Sequence, residues 1–223
     1  MSQIVQTNGC NGKGKAHQTT EKEMFEAFYD MEVFRLGEFY LKSGQMTPIY
    51  IDLRRLISKP KIMRVVAQAL CDKIQNMQLQ FDYIVGVPYA ALPLATLVAD
   101  ILDIPMLMKR KEAKSHGTKQ LIEGVYSKGG TVLLVEDVVT WGDSIKETAQ
   151  AIREEGLLVT DSIAILDRQQ GAKAKLEAIN VNFHSFLTMD GILNGLIEKE
   201  QITKERKNEI VEHLAKPFTP KAN

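Results

Sequence analysis

A chain of 223 residues with 28 basic and 28 acidic side chains carries no net charge at neutral pH, which excludes wholesale attraction to nucleic acid or anionic lipid and leaves any positive patch local. At 44% hydrophobic and 25% charged, the composition is that of an ordinary globular protein able to bury a sizeable core. No apolar run reaches the roughly 18 residues of a membrane span, and the first residues lack the apolar stretch of a secretion signal, so a cytoplasmic chain without membrane or nucleic-acid partners is expected.

The two cysteines, Cys10 and Cys71, lie far apart in very different surroundings, which argues against a disulfide framework. Four scattered histidines show no zinc spacing, so no protein-held metal is expected. Residues 1–20 are rich in Gly, Asn, Gln, Lys and Thr and too poor in apolar surface to offset the entropy of ordering them, which predicts a mobile leader. Within it Gly9, Gly14 and Lys15 mimic a P-loop, but Ala16 replaces the required Ser or Thr and no apolar strand leads in.

Met24, Phe25, Phe28 and Val33 predict a helix over 21–34, followed by extended pieces near 39–41 and 49–53, with Gly44 and Pro48 punctuating the connection. Beyond Pro60, the residues Ile62, Val65, Val66, Ala69 and Ile74 predict a helix over 61–77. Short apolar runs at 83–87, 105–108, 132–135, 162–166 and 183–187 predict strands, and segments at 91–102, 144–156, 170–179, 190–199 and 204–215 read as helices. Strand and helix in alternation imply an α/β domain over 21–216, a parallel sheet covered on both faces, with a tail at 217–223.

The segment VLLVEDVVTWGDS at 132–144 carries the most chemistry. Four apolar residues suit a buried strand. Glu136 and Asp137 are expected where that strand ends, the usual ligand crevice of open α/β sheets. Thr140, Trp141, Gly142, Asp143 and Ser144 lead into a helix whose first amides and dipole suit a phosphate. Ser144 and Glu147 also have the spacing of a capping box, which needs no ligand. In 109–119, Lys109, Arg110, Lys111, Lys114 and Lys119 gather beside Ser115, His116 and Gly117, either as a solvated loop or as a local anion trap.

The 132–144 segment resembles the phosphoribosyl pyrophosphate (PRPP) signature of type I phosphoribosyltransferases. GVPYAALPLA at 86–95, RKEAKSHGTKQLIEG at 110–124, LKSGQMTPIYIDLR at 41–54 and LDRQQGA at 166–172 look like the orotate phosphoribosyltransferases, particularly the form fused to orotidylate decarboxylase in animals. Five blocks occur in family order between about residue 25 and residue 190, and no stretch of decarboxylase length is expected to follow. The resemblance implies a type I phosphoribosyltransferase fold with a small N-terminal hood, and a homodimer in which residues 109–119 complete the partner's site. It also implies transfer of phosphoribose from PRPP to orotate, with magnesium held mainly through PRPP.

Residue by residue, the resemblance assigns catalysis to Lys114 and Asp137. PRPP and pyrophosphate fall to Lys42, Tyr89, Arg110, Lys111, His116, Glu136, Asp137 and the loop Thr140, Trp141, Gly142, Asp143 and Ser144. Orotate falls to Lys42, Ile49, Tyr50, Thr140 and Arg168, because a guanidinium forks onto a carboxylate. Trp141 and Asp143 depart from the family pattern, which has small residues there. A carboxylate about 6 Å from a phosphate costs roughly 3 kcal/mol per unit charge at an effective dielectric near 20, unless it turns outward. A transferase for another base, or a non-catalytic sensor of PRPP or nucleotide, are the alternatives.

Overall fold

The computed structural model describes residues 18–40, 46–110 and 121–216. Thr20 opens the first helix, α1 (Glu21–Asp30), with a capping box: its hydroxyl accepts from the Glu23 amide, and the Glu23 carboxylate accepts from the Thr20 amide. This helix stops before the predicted 34. Glu32 takes a left-handed φ of 52°, and the Val33 amide closes onto the Phe28 carbonyl at 3.0 Å. The aromatic and β-branched residues that follow favour extended chain, so β1 (Phe34–Tyr40) begins at once. Its Phe34 ring stacks on Phe25 with centroids 5.6 Å apart, which keeps the turn and the helix in one apolar cluster.

β1 pairs antiparallel with β2 (Met46–Ile51) to form the hood. Pro48 lies inside β2, not in the connection, and sits where the register shifts between Leu36 and Phe39, so its missing N–H interrupts no ladder bond. A 3₁₀ turn (Leu53–Ser58), unforeseen in the sequence, leads to α2 (Pro60–Asn76), which starts on proline at its first position. Then follow β3 (Tyr83–Gly86), α3 (Leu92–Leu102), β4 (Met106–Lys109) and β5 (Ile122–Glu123). The second half holds β6 (Thr131–Val139), α4 (Asp143–Glu154), β7 (Leu158–Asp167), α5 (Ala172–Glu177), β8 (Asn182–Thr188), α6 (Met189–Glu198) and α7 (Lys204–Ala215).

The large sheet runs β5-β4-β3-β6-β7-β8, parallel except for the short edge strand β5. Side chains alternate across it. Ile84, Leu133, Val135 and Ile163 join the cluster of α1, α2, α3 and α6, while Val85, Val132, Leu134 and Ala164 join α4 and α5. Burial on both faces is why these strands read as unbroken apolar runs. At Gly86 a Cβ would meet the Ala95 Cβ at 2.9 Å, so only glycine lets α3 close over the end of β3.

The chain builds outward from β3 to β4, then crosses back to β6 and continues to β8 on the other side. The crevice therefore opens between the carboxyl ends of β3 and β6. Among the described residues no helix is long and apolar enough to cross a membrane.

Candidate active site

β3 ends at Gly86 opposite Val135, but β6 runs on to Val139, paired only with β7. Glu136 and Asp137 are thus inside a strand, correcting the expectation that they terminate it. They lie past the end of the neighbouring strand, where β6 has lost its β3 partner and faces the crevice. Glu136 is 7% exposed, and burial together with its hydrogen bond to Asp137 pushes its carboxyl up to about 9. The Asp137 amide donates to Glu136 Oε1 at 3.0 Å. At neutral pH the pair therefore presents one protonated acid beside a half-buried aspartate.

This arrangement has a measurable consequence. Below the unfolded value of 4.5 both states hold the Glu136 proton; between there and about 9 only the folded state does. Stability from this group is full below the lower value and falls as pH rises, by at most about 1.4 kcal/mol per pH unit. Glu136→Gln is expected to flatten the decline of the melting temperature between about pH 6 and pH 9. Parallel melting curves for the two proteins would contradict the neutral acid.

Gly142 adopts φ 77° and is the N-cap of α4, and no side chain caps that helix. The expected Ser144–Glu147 capping box is absent. Glu147 instead accepts from Lys109 Nζ at 2.8 Å, and the helix begins at Asp143, one residue earlier than anticipated. The uncapped amides open on a cleft of about 60 Å³ lined by Glu136, Thr140, Gly142, Asp143 and Ser144. A wider hollow of about 680 Å³, bordered by Asp30, Glu32, Arg55 and Lys59, lies between the end of α1 and the start of α2.

The loop leans on α5. A Cβ at Gly142 would come within 3.2 Å of Leu176 and 3.3 Å of Ala172, the Trp141 ring lies against Gly171, and Asp143 Oδ1 accepts from Lys175 Nζ. Asp143 has therefore turned outward to a lysine, while Trp141 packs on its neighbour.

Arg168 follows β7, its amide donating to the Val139 carbonyl at 2.8 Å. Its side chain is 5% exposed and reaches the hood, where Nη2 donates to Thr47 Oγ1 at 3.0 Å and to the Ile49 carbonyl at 3.4 Å. Nε has no partner, and no carboxylate pairs with this guanidinium among the described residues. Burial draws its pKa down to about 10, so it remains a cation at neutral pH.

Other sequence-assigned residues fall as follows. The Ile49 side chain is fully buried in the core, and its carbonyl is what meets Arg168. The Tyr50 ring lies 5.4 Å from Phe39, and its hydroxyl accepts from Arg54 at 2.7 Å. Tyr89 is exposed on the turn between β3 and α3, which starts where the Val87 amide donates to the Val135 carbonyl.

Lys109 is not a loop cation. It ends β4 with its side chain buried against α4, so the expected segment 109–119 loses its first charge to Glu147. Arg110 pairs with Glu123 at 3.0 Å across the β4–β5 edge. Lys42, Lys111, Lys114 and His116 lie outside the described residues. Sequence reasoning passed over Thr47 and Lys175 and gave Lys109 and Glu147 other roles. Only Thr47 had a signal, a hydroxyl within a block already singled out.

A family profile described as "Phosphoribosyl transferase domain" matches residues 54–191. The chain is 71% identical over 198 residues to an orotate phosphoribosyltransferase of Caenorhabditis elegans, covering 89% of this chain and 87% of that protein. It is 46% identical over 177 residues to uridine 5′-monophosphate synthase of Bos taurus, covering 79% of this chain but 37% of that protein. Among solved structures, UMP synthase of Leishmania donovani superposes with a TM-score of 0.78 at 35% identity, over 88% of this chain and 42% of that one. The chain thus spans less than half the length of the two synthases it matches.

Proposed function

The chain belongs to the type I phosphoribosyltransferase family, among the orotate phosphoribosyltransferases of pyrimidine biosynthesis, and from that premise we propose that it joins orotate N1 to C1 of PRPP, forming orotidine 5′-monophosphate and releasing pyrophosphate. The observation that carries this reading is Arg168. A buried guanidinium that among the described residues bonds only to neutral oxygens, with Nε unsatisfied, is costly until an anion arrives. The carboxylate of orotate supplies that anion in the planar form a guanidinium prefers. A base without a carboxylate would leave the cation buried and alone, which argues against purine substrates.

In this reading the uncapped start of α4, with Thr140, Gly142 and Ser144, holds the 5′-phosphate. The neutral Glu136 donates one hydrogen bond and Asp137 accepts another, a complementary pair for the two ribose hydroxyls. Tyr89 and the cations Lys42, Arg110, Lys111 and His116 border the pyrophosphate. As the C1–O bond breaks, its electrons leave with the pyrophosphate oxygen and Lys114 stabilises that charge, while N1 closes on C1 and gives up its proton to the departing diphosphate. Covering the site with residues 110–119 keeps water from the cationic sugar centre.

Magnesium would neutralise the diphosphate when bound. With Glu136 protonated, the pair is a sparse ligand set, which fits a metal ligated mainly by substrate oxygens. The same reading takes 21–216 as the catalytic domain, flanked by leader and tail. It takes the protein as a homodimer whose 110–119 segments serve opposite sites. A cytoplasmic location is part of it.

Following orotate absorbance with PRPP and magnesium tests the proposal directly. Orotate is expected to disappear with stoichiometric pyrophosphate. Consumption of adenine or uracil in its place would overturn it.

A further inference from the structure

The phosphate loop carries one charge of the wrong sign, at Asp143, and the molecule answers it from a different element. The loop touches α5 in three ways: Gly142 against Ala172 and Leu176, Trp141 against Gly171, and Asp143 with Lys175. The first two set the path of the backbone. Only the third concerns charge.

We propose that Lys175 is a positioning residue for PRPP: it draws the Asp143 carboxylate toward α5 and off the anion seat at the start of α4. The inference rests on the reading above, in which residues 140–144 hold the 5′-phosphate. The Asp143 side chain is 70% exposed and that of Lys175 38%, so the pair adds little to stability. Its effect is directional. A carboxylate one residue beyond the N-cap has rotamers that face the helix amides and rotamers that face outward. A lysine anchored one helix away selects the outward set and cancels the charge. Released from that partner, Asp143 is free to occupy the amides itself, competing with the phosphate and repelling it.

Lys175→Met is expected to raise the KM for PRPP about threefold to tenfold at low ionic strength, an effect that shrinks toward 1 M salt as the screening length falls to about 3 Å. The kcat at saturating PRPP should stay within about twofold, because a contact made equally in ground and transition states moves KM alone. Lys175→Arg keeps a cation at the position and should behave like the wild type. The decisive comparison is the double variant. In the Asp143→Ser background, Lys175→Met should no longer change the KM, since no carboxylate is left to direct.

An unchanged KM in Lys175→Met overturns the proposal, and so does an equal rise in both backgrounds, which would mean that Lys175 acts on the phosphate directly. Equal loss of kcat and KM with a lowered melting temperature also overturns it, as the mark of a merely structural contact. Calorimetric titration of the wild type with PRPP separates this inference from its premise. A wild type that binds PRPP without any dependence on Lys175 sinks only the proposal, whereas one that binds none sinks both.

Discussion

Replacing Arg168 by methionine is expected to raise the KM for orotate by at least about thirtyfold while leaving the melting temperature unchanged or higher. The two halves of that result share one cause. The guanidinium is almost fully buried, holds its charge at neutral pH, and among the described residues meets only the Thr47 hydroxyl and the Ile49 carbonyl. Methionine of similar length fills the same channel without a charge to desolvate. The Ile49 carbonyl keeps a donor after the change, because Thr47 Oγ1 donates to it at 2.9 Å. A buried ion pair broken from the side of its partner costs about 2–5 kcal/mol, which sets the loss on orotate at about thirtyfold to several thousandfold. PRPP binding, which the proposed reading assigns to β6 and α4, should change by less than about threefold. Steady-state kinetics in each substrate with a thermal melt decide the matter. A fall in melting temperature with equal losses on both substrates would make Arg168 a structural residue.

The parts of this molecule that were legible in the sequence are those whose partners lie nearby. The apolar runs of β3, β6 and β7 reported burial on both faces, and the residues Ile145, Thr148, Ala149 and Ile152 reported the inward side of α4. Where a residue's role depends on distant chain, local pattern was silent. Lys109 looked like the first of a run of loop cations, yet whether a strand's last residue points in or out depends on α4, which brings Glu147 over it. The acidic pair looked like a strand end because the apolar run stops at Val135. What stops there is β3, and β6 continues because β7 still pairs with it. Arg168 could be assigned a ligand by resemblance, but its burial could not be foreseen, since it meets a threonine 121 residues earlier. Asp143 raised the question of charge in the sequence. The answer, Lys175, stood 32 residues away in a helix too short to announce its orientation.

Lys114→Ala is expected to lower kcat by about a hundredfold to a thousandfold, the usual loss when one preorganised donor to a developing negative charge is removed. The structure narrows the choice of residue. Of the five cations in 109–119, Lys109 is held by Glu147 and Arg110 pairs with Glu123, so both enter the segment with their charge already met by a carboxylate. On the proposed reading the charge that stabilises departing pyrophosphate then falls mainly to Lys111, Lys114 and Lys119, with Arg110 a weaker contributor, and Arg110→Ala should cost less than Lys114→Ala. A mixing experiment separates service to the chain's own site from service to its partner's. On the proposed reading Lys114→Ala lacks the charge over the leaving group and Arg168→Met the orotate anchor, so at orotate far below the raised KM each variant alone is nearly inactive. If the segment crosses to the partner, a mixed dimer pairs one intact lid with one intact anchor at a single site. Half the dimers are mixed at equal input, so refolding the two together should restore about one quarter of wild-type activity. If instead each segment serves its own site, every site in the mixture carries one of the two defects. Activity then stays at the level of the separate variants, which would leave the catalytic lysine in place and remove the argument for exchange between protomers.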